Sequence, residues 1–147
     1  MNVQDEIKAL KERIAELEKQ EFPRIGDKYW YLGDTGEILY ENWDNVSFEE
    51  DRLGIGNVFK TEDEAKFAKK KLKVEAELRK FSRPFADGEE NNHIKYSPSF
   101  DELSVLTSFS YQDQGVFYFE SKEKVQQAIK SVGEDRIKKY IFGVGEY

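Results

Sequence analysis

The chain has 147 residues, of which 38% are hydrophobic and 36% charged, with a formal net charge of −7, one His and no Cys. Its size suits one compact domain or two small halves, and an aromatic content of 14% is too high for a disordered chain. Without Cys there are no disulfides, thiol catalysis or zinc–thiolate sites, no apolar run spans a bilayer, and the acidity disfavours phosphate backbones except at a local basic patch.

The first segment reads as a helix. Val3, Ile7, Leu10, Ile14 and Leu17 recur at spacings of 4, 3, 4 and 3, which is an a/d heptad seam. β-branched Ile7 and Ile14 at a, with Leu10 and Leu17 at d, favour a parallel two-stranded coil. In that register Glu6 faces Lys11 of a partner and Arg13 faces Glu18, both attractive. Pro23 disfavours helix at Phe22, so residues 1–22 form the expected oligomerisation helix. A charged, heptad-patterned start is unlike a signal peptide, and the expected location is the cytoplasm, with no membrane association.

Residues 25–83 read as a first half. Lys28 to Leu32 is an aromatic strand, Gly33-Asp34-Thr35-Gly36 a turn, and Glu37 to Trp43 the returning strand of a hairpin. Asn45 to Asp51 reads as an acidic loop, and Gly54 to Phe59 as a third strand. Thr61 caps a helix reaching Phe81, with Glu64 completing a capping box. That helix carries two apolar stripes, Ala65-Ala68-Leu72-Ala76 and Phe67-Val74-Leu78-Phe81, which predict cover on two faces. A flank of Lys66, Lys69, Lys70, Lys73 and Lys80 is the one concentrated basic patch.

Residues 84–93 read as a linker holding the lone His93, and residues 94–147 as a second half. Ile94 to Tyr96 is a short strand. Alternation from Leu103 to Tyr111 marks a half-buried strand, and Val116 to Phe119 a central one. Ser121 caps a helix with core residues Val125, Ala128, Ile129 and Val132, stopped by Gly133. Glu134 to Phe142 forms a last short helix. Phe59-Lys60-Thr61 and Phe119-Glu120-Ser121 repeat one strand-to-capped-helix pattern, so the fold class is α+β: a coiled-coil helix followed by two related antiparallel β-meander-plus-helix halves.

No constellation of catalytic or metal-ligating residues emerges. His93 has no second His or Cys for a metal and no nucleophile-elbow Ser, and Gly54-Ile55-Gly56 lacks a phosphate-loop ending. The expectation is a non-enzyme without a cofactor. The seam residues are the candidate oligomerisation site, toward a homodimer or larger assembly. Candidate ligand or partner residues are Tyr29, Tyr31, Trp43 and Arg52, with Lys66, Lys69, Lys70 and Lys73. The same set defines the alternative reading, a nucleotide or nucleic-acid binder that stacks bases on aromatic rings and holds phosphate on the basic flank.

Tyr29-Trp30-Tyr31, Trp43-Asp44-Asn45, Ile55 to Thr61 with Glu64-Ala65, and Val132 to Tyr140 together resemble a group of small phage and prophage proteins of Gram-positive bacteria. The resemblance covers most of 25–144, with the heptad helix as a variable extension. It implies a mobile-element accessory protein of the host cytoplasm. Proteins of that kind bind and block a host factor, such as a defence-system protein.

Overall fold

The computed structural model describes residues 2–145, leaving aside the side chains of residues 18–20. The fold is α+β, in the order α1 (Val3–Gln20), β1 (Lys28–Leu32), β2 (Ile38–Asn42), α2 (Ser47–Gly54), α3 (Glu62–Arg79), β3 (Asn91–Ser97), β4 (Glu102–Ser108), α4 (Lys122–Val132) and α5 (Glu134–Tyr140). Two antiparallel hairpins, β1–β2 and β3–β4, form separate two-stranded sheets. The chain divides into two compact units, Met1–Lys66 and Phe67–Tyr147, so the division falls inside α3.

In the first unit Asn2 caps α1 by accepting from the Asp5 amide at 2.8 Å, and Asp5 and Glu6 sit where the helix dipole favours acids. The hairpin pairs Lys28 with Asn42 and Leu32 with Ile38, which turns Tyr29 and Tyr31 to the buried side with Trp43. The expected third strand shortens to one bridge, where Phe59 exchanges both backbone hydrogen bonds with Trp30. A side chain extends that edge. Asn57 Oδ1 accepts from the Leu32 amide at 2.7 Å, and its Nδ2 donates to the Leu32 carbonyl at 2.8 Å. A primary amide thus stands in for a peptide group, and a strand is not needed to satisfy Leu32.

A second expectation fails in this unit. The segment read as an acidic loop is the helix α2. Glu49 at its N3 position accepts from the Asp44 amide at 2.8 Å and the Val46 amide at 3.4 Å, while Arg52 lies in the last turn. The acidic residues therefore start a helix instead of solvating a loop.

The second unit is built on Val74, Leu78, Phe119, Val125, Ala128, Val132, Ile137 and Tyr140. Of the two stripes on α3, Phe67-Val74-Leu78-Phe81 packs in this core; in the other Ala65 is fully buried and Ala68 half-buried, while Leu72 and Ala76 remain exposed. Ala carries little apolar area, so that stripe gains little from cover. Phe119 exchanges both backbone bonds with Asn92 as Phe59 does with Trp30, and Ser121 accepts from Lys124 N at 3.1 Å as Thr61 does from Glu64 N. The two junctions share one local geometry. Gly133 ends α4 and starts α5 at φ 105°, a conformation that favours glycine. β4 stops at Ser108, short of the expected Tyr111, and Phe109 and Tyr111 are exposed.

Candidate functional site

The hairpin and α2 bring four of the predicted residues, Tyr29, Tyr31, Trp43 and Arg52, into one cluster. β1 supplies the two tyrosines from alternate positions of one face, and Trp43 follows β2. The Tyr29 ring meets Tyr31 at 5.7 Å and the edge of Trp43 at 5.5 Å between centroids. The Arg52 guanidinium lies 3.7 Å from the centroid of Tyr31.

Two carboxylates complete the cluster. The Tyr29 hydroxyl has one hydrogen, and it goes to Glu49 Oε2 at 2.7 Å. The Tyr29 hydroxyl oxygen in turn accepts from Arg52 Nη1 at 2.8 Å, and that nitrogen also reaches Glu41 Oε2 at 3.2 Å. Glu41 Oε1 accepts from the Tyr31 hydroxyl at 3.0 Å. Glu49 is 1% exposed, and its oxygens are satisfied by Tyr29, Asp44 and Val46. Burial alone would raise its carboxyl. The hydrogen bonds from Tyr29, Asp44 and Val46, with the Arg52 charge, outweigh burial and hold it below the ordinary carboxylate range. The Tyr29 hydroxyl is pushed far up, first by burial and then by Glu49, and stays protonated.

The faces of Tyr29, Tyr31 and Trp43 are thus taken by each other and by Arg52, and all three rings are buried. The arrangement closes hydrogen bonds and charges on themselves. It is a staple between the hairpin and α2. Residue type points to the rings and Arg52; Glu49 reads from sequence as part of an acidic loop near Trp43, and nothing local marks Glu41 as a partner. Val46 carries no capping oxygen to announce the helix that Glu49 helps to start, and the apolar pattern does not show that helix either.

A pH dependence follows. Because Glu49 is more acidic folded than unfolded, the unfolded chain binds its proton first as pH falls. Its stabilisation is complete at neutral pH and is lost as pH drops through the ordinary carboxylate value and on through the folded one. Both tryptophans, Trp30 and Trp43, lie in the first unit, so tryptophan fluorescence reports its unfolding. Urea titrations followed this way should show stability falling below about pH 4.5 in the wild type and more shallowly in Glu49→Gln.

The remaining predicted residues are dispersed. Val3, Ile7, Leu10, Ile14 and Leu17 all lie on α1 and are between 41% and 67% exposed. Lys66, Lys70 and Lys73 are exposed along α3, Lys69 is half-buried, and Lys66 pairs with Glu62 at 3.4 Å.

His93, expected in a linker, lies in β3 and is 6% exposed, its ring edge-on to Tyr118 at 5.7 Å. Its Nε2 is 3.7 Å from Asp113 Oδ2. Asn91 and Asn92 beside it are fully buried. Asn91 donates to the carbonyls of Ala86 and Glu89 and accepts from the Ala86 amide and Arg83, filling all four of its hydrogen-bonding positions. A polar run can be buried when every amide position is met, so the segment pairs as a strand.

No group of three His, Asp or Glu side chains among the described residues is arranged to hold a metal ion, and no described helix is long and apolar enough to cross a membrane. No protein-family model matches the chain, and no curated protein or solved structure matches it either.

Proposed function

We propose that this protein is a homodimeric interaction module, joined through α1, that binds and inhibits a protein of its host cell. The observation that supports it is the exposure of all five seam residues on one helix. A helix whose regular apolar stripe lies in water gains by burying that stripe against a partner. A second copy is the occupant that the charges favour. In a parallel pair Glu6 meets Lys11 of the other copy, and Arg13 meets Glu18, whose side chain lies outside the described residues. The host-protein partner rests on the resemblance to phage and prophage proteins.

Sedimentation equilibrium tests the dimer. The wild type is expected at the dimer mass, and a variant with Ile7, Leu10, Ile14 and Leu17 all replaced by Ser at the monomer mass. Tryptophan fluorescence should be unchanged in the variant, because the seam lies apart from the buried rings. A monomeric wild type, or a variant of undiminished mass, would overturn the dimer. Native mass spectrometry of the protein isolated from a Gram-positive cytoplasm tests the partner. A dimer carrying a second protein is expected, and a bare chain argues against it.

A further inference from the structure

The second unit contains a groove of about 640 Å³ that the reading above does not use. It is lined by Arg79, Arg83, Phe85, Gln114, Phe117 and Tyr118, with the turn at Gly115 forming part of its wall. That volume lies within the range of small-molecule sites. Three aromatic rings and two guanidinium groups share it.

The arginines differ in how they are held. Arg83 leaves the end of the α3 region and is bonded into the loop before β3. Its Nη1 donates to the Pro84 carbonyl at 3.0 Å and to Asn91 Oδ1 at 2.9 Å, and its Nη2 to the Glu90 carbonyl at 2.5 Å. These acceptors are neutral, so they fix the guanidinium without cancelling its charge. The nearest carboxylate, Glu89, stands at 4.0 Å and is mostly exposed. Arg79, in the last turn of α3, lies 5.8 Å from the centroid of Phe117 and has no carboxylate partner among the described residues.

The rings are similarly ordered. Phe85 meets the edge of Tyr118 at 5.2 Å, and the Tyr118 hydroxyl accepts from the Asp113 amide at 2.6 Å, which ties the 112–116 loop to the groove floor. Asp113 is the one carboxylate in the lining, and it faces His93. Fixed positive charge beside planar apolar surface, with the side-chain amides of Gln112 and Gln114 nearby, describes an amphiphilic ligand. One end is a small anion and the other a flat ring with polar edges. Arg79 supplies the planar fork that suits phosphate, while Arg83, its terminal nitrogens spent on Pro84, Asn91 and Glu90, adds its positive charge; aromatic surfaces accept bases with little regard to identity. The net charge of −7 weakens long-range attraction but does not act within a groove whose own balance is positive.

We propose that this groove binds a nucleoside monophosphate, its phosphate on the Arg79 guanidinium beside the charge of Arg83 and its base against the half-buried rings of Phe85 and Phe117. The site stands whether or not α1 joins two copies.

The test is a ¹⁵N-labelled full chain titrated separately with AMP, GMP, CMP and UMP, and with inorganic phosphate and adenosine as the two halves of a ligand. At least one nucleotide is expected to move the amides of 82–85 and 112–118 saturably, with Kd below about 1 mM. Either half alone should bind at least about tenfold more weakly, since neither gains both contacts. Arg79→Gln, which removes an exposed charge, should weaken the nucleotide by about 10–100-fold and leave the far-UV circular dichroism unchanged. The absence of a saturable shift for all four nucleotides to about 10 mM would overturn the site. So would equal affinity in Arg79→Gln, or shifts confined to the Tyr29–Trp43 cluster or the α3 lysines.

Discussion

Replacing Glu49 with alanine should destabilise the first unit by about 3 kcal/mol. The side chain is buried and holds the Tyr29 hydroxyl, the Asp44 amide and the Val46 amide. Alanine removes the acceptor for all three. Asp44 is exposed and water can replace its partner, but the Tyr29 hydroxyl cannot reach water. Its proton must then turn toward Glu41, whose Oε2 is 3.3 Å away and already receives Arg52. The cost is therefore one buried donor displaced, one helix start loosened and one cavity. Glu49→Gln keeps the volume and one acceptor and should lose about half as much. Urea unfolding monitored by tryptophan emission measures both variants. An alanine variant within about 1 kcal/mol of wild type would show that the staple contributes little.

Phe119→Ala should cost the second unit about 4 kcal/mol. The ring is fully buried among Val74, Leu78, Val125 and Ile137, and the backbone of the same residue pairs with Asn92. No tryptophan lies in this unit, so the loss is read by hydrogen exchange. Protection should fall in α4, α5 and β3, while the amides of β1 and β2 keep theirs if the units unfold separately. Loss of protection across both units together would instead mean that α3, continuous through the division at Lys66 and Phe67, couples them into one cooperative fold.

What the sequence made legible was local. Both helix starts could be read because Phe59 and Phe119 precede a capping hydroxyl at a fixed offset, and capping is decided within four residues; the strands expected before them, Gly54 to Phe59 and Val116 to Phe119, are instead isolated bridges. The hairpin turn at Gly33–Gly36 and the stop at Gly133 were legible for the same reason. α2 was not, because its pattern is inverted: Phe48, Leu53 and Ile55 point outward and the one buried side chain is a glutamate. Hydrophobic periodicity cannot find a helix that buries a charge. β3 was half legible: Ile94 to Tyr96 reads as a strand, whereas Asn91, Asn92 and His93 before it were hidden because they are polar and buried. The aromatic cluster was half legible. Its rings and Arg52 stood out by type, whereas their mutual burial depends on carboxylates contributed by β2 and α2, distant in the chain. The groove of the second unit was not legible at all, because Arg79, Arg83 and Phe117 come together only when the strand and helix ends converge.

The Asn57 side chain that completes the edge of β1 makes this fold sensitive to chemical ageing. Hydrolysis of its amide would exchange one nitrogen for oxygen, with almost no change in shape. The oxygen would then face the Leu32 carbonyl at the 2.8 Å now spanned by a donated hydrogen, and two acceptors would oppose each other. The new negative charge would repel a carbonyl that the amide had held, and the neighbouring bridge between Trp30 and Phe59 would lose its anchor. Molecules in which this side-chain amide alone has been hydrolysed would therefore be one dalton heavier, with a first hairpin that opens more readily.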